Sequence, residues 1–347
     1  MLILRDREIQ ALLGDLSASQ CRQLLDALSQ TLADYSASSS SPNATPLVHQ
    51  PMRQVFTTAP GHTSLFMPAS NTRTTGIKIV TLPGHGGAPR GAINVFSPEG
   101  ELTGLLNAEE ITAFRTALAS MIPFVRVAAP KTNIVVFGAG KQAEWHVRLA
   151  LLLGQVQRVT VVNRSPGSLD RLGARLRERC AAAGVEVRLL AKEGTAPEEY
   201  ETKLREALRG SDAVMCCTPS TEPLFPAAYL AAEKKRRYIS LIGSYKPSMH
   251  EVDSETLLSG AGGVVYVDSR EAVLEEAGEV IKAKVPSDHL VEVGEVLGAN
   301  GQFDAVGSEE GNVVFKCVGM GIMDVVVAAG LLDIAKEKGV GMTVEDF

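Results

Sequence analysis

The sequence predicts an α/β protein of two domains, one built on a mostly parallel sheet and the other a discontinuous α+β domain drawn from both ends of the chain. Three observations carry this. Between Ile134 and Val267, apolar runs alternate with helical or loop segments, the pattern of strands covered on both faces. Between Met52 and Leu106, short strand-like runs follow one another with no helix between them, which suits an antiparallel sheet. Val313 to Lys338 then carries Val318, Ile322, Val325, Val326, Ala329 and Leu332 on a helical period. It comes after six strand candidates have completed the parallel sheet, so it is expected to return to the first domain as a helix. The expected division is 1–127 with 318–347 for the α+β domain and 128–317 for the parallel-sheet domain.

Residues 5–14 and 17–35 read as helices, the second capped by Ser17 and presenting Leu24, Leu25, Leu28 and Leu32 on one face. The low-complexity stretch Ser36 to Asn43 reads as a mobile surface loop. Strands are expected at 54–57, 63–68, 76–82, 92–97 and 101–106, the last two joined by the turn Ser97-Pro98-Glu99-Gly100. Asn107 then caps a long helix through Val127, which Pro130 closes off.

Ile134 to Phe137 runs straight into Gly138-Ala139-Gly140-Lys141-Gln142-Ala143 and a helical sequence. Strand, Gly-x-Gly-x-x-Ala turn and helix N-terminus open a Rossmann dinucleotide-binding βαβ unit. The first glycine makes the sharp turn, the second admits a pyrophosphate to the backbone amides, and the alanine lets the helix pack closely. The next strand, Arg158 to Val162, ends in Asn163-Arg164-Ser165. An acid at this point would hold free ribose hydroxyls, whereas an arginine suits a 2′-phosphate. NADPH is therefore expected over NADH, with Asn163 and Ser165 donating hydrogen bonds beside Arg164. Runs at 185–190, 213–217, 238–242 and 264–267 complete the sheet. Cys217, Thr218 and Ser244 fall just past two strand ends, where open α/β sheets bind ligands.

Composition bounds the partners. The 347 residues are 45% hydrophobic and 21% charged, with a formal net charge of −6, so no basic footprint points to nucleic acid. No apolar run approaches the roughly 20 residues of a membrane span, and the N-terminus lacks a signal-peptide core. A cytoplasmic enzyme is expected. Cys21, Cys180, Cys216, Cys217 and Cys317 form no Cys-x-x-Cys pair, which suits reduced thiols, and no metal site is predicted.

The chain resembles the ornithine cyclodeaminase/mu-crystallin family, which includes ketimine reductases and archaeal alanine dehydrogenase. The matching pieces are Gly76 to Val80, Ile111-Thr112-Ala113-Phe114-Arg115-Thr116-Ala117, the Gly138 to Ala143 loop, Gly243 to Asp253, Val267 to Ala272, and Val314 to Met320. The resemblance implies a homodimer formed through the first domain's sheet and an active site in a cleft between domains. It makes Lys78 the active-site lysine and Arg53, Arg115 and Lys78 the holders of a substrate carboxylate, which a guanidinium grips with two parallel donors. Arg115 also counts among the cofactor contacts. Two departures stand out. Tyr245 occupies the place of the cyclodeaminase aspartate that engages the substrate amine, and a neutral phenol pairs poorly with an ammonium. Cys317 stands where relatives often carry a serine near the nicotinamide.

The expected function is NADPH-dependent reduction of a small, cyclic ketimine carboxylate such as 1-pyrroline-2-carboxylate or 1-piperideine-2-carboxylate. Lys78, its pKa lowered by burial and by neighbouring arginines, would pass a proton to the imine nitrogen. The alternatives are an NAD-retaining ornithine cyclodeaminase and a mu-crystallin-like ligand-binding protein.

Overall fold

The computed structural model describes residues 1–40, 45–231, 235–303 and 311–345. The chain divides into two compact units, Met1–Thr116 with Gly319–Phe347, and Ala117–Val318.

The first unit is an eight-stranded sheet: β1 (Leu2–Leu4), β2 (Val48–His49), β3 (Gln54–Thr57), β4 (Thr63–Asn71), β5 (Thr75–Leu82), β6 (Arg90–Phe96), β7 (Leu102–Asn107) and the C-terminal β16 (Met342–Thr343). β4 to β7 form an antiparallel meander. β1, too short to show a period in the sequence, pairs with β7 in parallel and with β16 antiparallel. The expected turn is present, Gly100 donating to Ser97 O at 3.1 Å.

Helices α1 (Asp6–Gly14) and α2 (Ala18–Ser40) precede the meander. Ser17 caps α2: Gln20 N donates to Ser17 Oγ at 3.2 Å, and the Gln20 side chain accepts from Ser17 N at 3.1 Å. Leu24, Leu25, Leu28 and Leu32 are buried on the expected face. The predicted loop at 36–43 needs correction, because α2 continues through Ser40 and Ser38 Oγ donates back to Asp34 O at 2.6 Å, keeping its hydroxyl bonded within the helix. Residues 41–43 lie outside the described residues. The C-terminal helix Gly321–Lys338 packs on β4, β5 and β6 and against α2.

The second unit opens with the last turns of α3 (Ala108–Arg126), whose Asn107 side chain accepts from Glu109 N at 2.9 Å. Its sheet contains β8 (Asn133–Phe137), β9 (Arg158–Asn163), β10 (Glu186–Ala191), β11 (Ala213–Cys216), β12 (Tyr238–Leu241), β13 (Val265–Val267), β14 (Leu290–Glu292) and β15 (Val313–Lys316). All neighbours run parallel in the order β10-β9-β8-β11-β12-β15-β13-β14. The expectation of six strands is thus corrected to eight. Val313 to Lys316 is not the start of a helix but a strand between β12 and β13, where its apolar run is covered on both faces. Helices α4 (Lys141–Leu153), α5 (Pro166–Ala182) and α6 (Pro197–Gly210) are the crossovers of the first half. The chain steps outward from β8 to β10 and then returns to β11 on the other side of β8. That reversal makes the carboxyl ends of β8 and β11 the switch point where such sheets hold ligands.

Candidate active site

In the first unit, β5 is paired on both edges, with β4 and with β6, and Gly76 and Lys78 on it are buried. Gly76 and Lys78, two apart, share the face toward the C-terminal helix. A Cβ at Gly76 would lie 2.8 Å from Val325, and Lys78 meets Asp324 one residue earlier on that helix. Lys78 Nζ donates to Asp324 Oδ2 at 2.7 Å, and Arg115 Nε donates to Asp324 Oδ1 at 3.1 Å. All three side chains are buried, Lys78 at 2%, Arg115 at 4% and Asp324 at 0% exposure. Arg53 Nη2 donates to Gly319 O at 3.0 Å. Gly319 has φ +88°, and a Cβ there would fall 2.3 Å from Arg115 Nη1. Only glycine allows both that backbone and that approach of the guanidinium.

Burial lowers the pKa of Lys78 to about 8; Asp324 opposes the shift, and Arg115 and Arg53 add to it. With the ammonium charged, Lys78 and Arg115 share the one carboxylate of Asp324. Removing that carboxylate would leave buried cations without compensation, a loss of about 3–5 kcal/mol. Asp324 was not foreseen from the sequence. Its signal was a lone acid inside the apolar helical run Gly-Ile-Met-Asp-Val-Val-Val, where a charge requires a partner.

In the second unit, Gly138 takes φ +113°, and a Cβ on it would lie 2.8 Å from Cys217 O, so the turn is closed to any side chain. Gly140 is the N-cap of α4 and has no side-chain cap. A Cβ at Gly140 would meet nothing within 4 Å, so packing within the chain does not impose glycine there, whereas close approach of a phosphate to the helix N-terminus would. Ala143 is fully buried against the sheet, and Ala139, Lys141 and Gln142 are partly exposed along the same turn. These features fit a dinucleotide pyrophosphate.

At the end of β9, the Arg164 side chain is 83% exposed, with Nε 3.6 Å from Glu193. The Asn163 amide donates to Ser165 O at 3.2 Å, and Ser165 is the N-cap of α5, preceding Pro166. Cys217 is half-buried and Thr218 Oγ1 donates to Glu251 at 3.2 Å. Two expected contacts face inward instead. The Ser244 hydroxyl is buried between Glu279 and Lys316, and Cys317 is buried with its thiol donating to Asp268 at 3.2 Å. Tyr245 is exposed. Further in, His146 bonds Gln142 O at 2.8 Å and Ser120 Oγ at 3.0 Å, and burial lowers its pKa to about 4. Among the described residues, no group of three or more His, Cys, Asp or Glu could hold a metal ion, and no helix is long and apolar enough to cross a membrane.

A parallel sheet that reverses its order beside a Gly-x-Gly-x-x-Ala turn defines a Rossmann-type α/β protein. The chain belongs to the ornithine cyclodeaminase/mu-crystallin family, whose model matches residues 18–339. It is 31% identical over 308 residues to an uncharacterised protein of Saccharomyces cerevisiae, covering 78% of this chain and 80% of that one. It is 26% identical over 301 residues to a Delta(1)-pyrroline-2-carboxylate reductase of Bacillus cereus, covering 82% and 85% of the two chains. In fold it is similar to the Delta(1)-pyrroline-2-carboxylate reductase of Thermococcus litoralis solved with NADH and L-proline. That match has a TM-score of 0.80 at 22% identity, over 99% of this chain and 100% of the other.

Proposed function

We propose that the chain is an NADPH-dependent reductase of small, cyclic ketimine carboxylates, producing the corresponding amino acids. It is an NAD(P)H-dependent oxidoreductase acting on C=N bonds, the chemistry named for its Bacillus and mu-crystallin relatives. The observation that carries the reading is Lys78, a fully enclosed lysine held between Asp324 and the arginines with its pKa down to about 8. Lys78 and Arg115 share one carboxylate, which leaves each with N–H donors for a substrate carboxylate. Arg53 and Arg115 hold that carboxylate and orient the ring. Lys78 has two N–H bonds beyond the one given to Asp324, and at its lowered pKa it can give a proton to the imine nitrogen near neutral pH. When bound, the reduced nicotinamide supplies the hydride.

The backbone amides where the Gly138 to Ala143 turn enters α4 receive the pyrophosphate, and exposed Arg164 takes the ribose 2′-phosphate, which favours NADPH over NADH. In this reading, 1–127 with 318–347 is the substrate-binding and dimerisation domain of a homodimer, and 128–317 is the nucleotide-binding domain. The five cysteines are free thiols, in keeping with the cytoplasm.

The purified protein, offered 1-pyrroline-2-carboxylate or 1-piperideine-2-carboxylate, should oxidise NADPH and release the cyclic amino acid. If neither imine drives NADPH oxidation, the reading fails, and ammonia release from ornithine without added reductant would replace it with cyclodeaminase chemistry.

A further inference from the structure

We infer that Glu251 is a positioning residue for the dinucleotide, because its buried carboxylate sets the spacing of the two loops that leave β11 and β12 at the rim of the parallel sheet. The inference rests on reading that rim as the cofactor site.

Glu251 is completely enclosed. One carboxylate oxygen accepts from Thr218 N at 2.7 Å and from Thr218 Oγ1 at 3.2 Å; the other accepts from Gly243 N at 2.7 Å. Thr218 lies just past the end of β11 and Gly243 just past the end of β12. A single side chain therefore holds the main chains of two adjacent crossings, one oxygen to each amide. Those main chains touch, since a Cβ at Gly243 would lie 2.0 Å from Thr218 O and 2.3 Å from Thr218 N. The neighbouring pair touches as well, a Cβ at Gly138 falling 2.8 Å from Cys217 O. The glycine-rich turn, the 217–218 loop and the 243–244 loop thus stack with no side chain between them. A shift at Glu251 reaches the phosphate-facing turn through backbone alone.

The second loop is held from its other side too. Lys316 Nζ donates to Ser244 O at 2.6 Å and to Ser244 Oγ at 2.5 Å, and it lies 3.1 Å from Glu279. An ionised carboxylate accepts strongly from both amides and the hydroxyl, whereas protonation removes the charge and places a hydrogen on one of the two oxygens, which weakens its hold on an amide. The groups facing it are Lys316 on β15, Glu279 on the helix Gly278–Ala283, and the thiols of Cys216 and Cys217. His250, the residue before Glu251, lies 3.1 Å from Lys282. Burial pushes the Glu251 pKa up to about 7, with Lys316 opposing and Glu279 adding to the shift. The clamp therefore loosens on mild acidification.

The test is dinucleotide affinity of the full-length protein by nicotinamide fluorescence, with NADH as the probe because it lacks the 2′-phosphate that titrates in the same range. Glu251→Gln keeps the shape but turns an NH₂ toward one of the two amides. Folded variant should bind NADH about tenfold or more weakly at about pH 8. Affinity of the unaltered protein should fall from about pH 8 to about pH 6, and the variant should lose this dependence. A brace that served only the fold would lower the melting temperature and leave the folded protein's affinity alone; equal affinity in the folded variant overturns the inference. Should the variant not fold, the unaltered protein decides: falling affinity supports the clamp, and a flat profile overturns it. Failure of the unaltered protein to bind either NADH or NADPH would instead overturn the cofactor assignment itself.

Discussion

Replacing Asp324 with Asn would remove the one negative charge that holds Lys78 and Arg115 while keeping the side chain's size. In the unaltered protein, Lys78 with a pKa of about 8 is about nine-tenths protonated at pH 7 and about one-tenth at pH 9. A kcat/KM that needs the ammonium should therefore fall about tenfold across that span. Asp324 raises the Lys78 pKa from 2.7 Å away, and an opposite charge at such range is worth about 1–3 pH units. The alkaline limb of kcat/KM for the Asn variant should then centre at about pH 5–7, and its kcat/KM at pH 8 should drop at least about fivefold. Stability should fall by about 3–5 kcal/mol as buried cations lose their partner, so kcat/KM must be read well below the unfolding midpoint. The sign for the unaltered protein follows from the same lysine. Its folded pKa lies below the ordinary 10.5, so the unfolded chain alone holds the proton between about pH 8 and about pH 10.5. This contribution to stability is present above that window and is lost as pH falls through about 8. A limb that stays near pH 8 in a folded Asp324→Asn enzyme would refute the assignment of Lys78 as the titrating donor.

Two further outcomes are expected. Arg164→Asp should lower the preference for NADPH over NADH by on the order of tenfold or more, given about 1.5–3 kcal/mol for a charged hydrogen bond. Glu193, 3.6 Å from Arg164, would then face a second acid, and an unchanged preference in paired kinetics would show that the phosphate is held elsewhere. His146 should contribute acid sensitivity, because burial takes its pKa from 6.5 to about 4. Its contribution to stability is present above pH 6.5 and lost as pH falls through about 4, up to about 3 kcal/mol at about 1.36 kcal/mol per pH unit. Urea unfolding at neutral pH and at about pH 4 should show a smaller loss for His146→Gln, and equal losses would contradict it.

What the sequence made legible was whatever rests on local pattern. The meander at 54–107, the Ser17 and Asn107 caps and the Gly138 to Ala143 turn each follow from residues close together in the chain. What it hid was set by distant pairing. Nothing local marks Val313 to Lys316 as a strand, because the run leads almost directly into an apolar helix and its place between β12 and β13 is decided by the whole sheet. Leu2 to Leu4 forms a strand only because β7 and β16 lie on either side of it. Lys78 stood out as a charge inside an apolar strand, and Asp324 and Lys316 carried the same signal. Their partners lie far along the chain, 246 residues for Lys78 and Asp324. The inward turn of Ser244 and Cys317 had no sequence signal, since both sit at strand ends where either direction is open.

The central claim is that Lys78 gives up a proton during imine reduction, and it is met most directly by kcat and KM of Lys78→Ala and Lys78→Arg with 1-pyrroline-2-carboxylate and NADPH. The Ala variant should lose roughly 10²–10⁴-fold in kcat with little change in NADPH affinity. The Arg variant should recover little, because a guanidinium keeps the charge but scarcely releases its proton near neutral pH. If Lys78→Arg is active and Lys78→Ala suffers mainly in KM, the lysine only anchors the carboxylate. A fully active Lys78→Ala enzyme would contradict both roles.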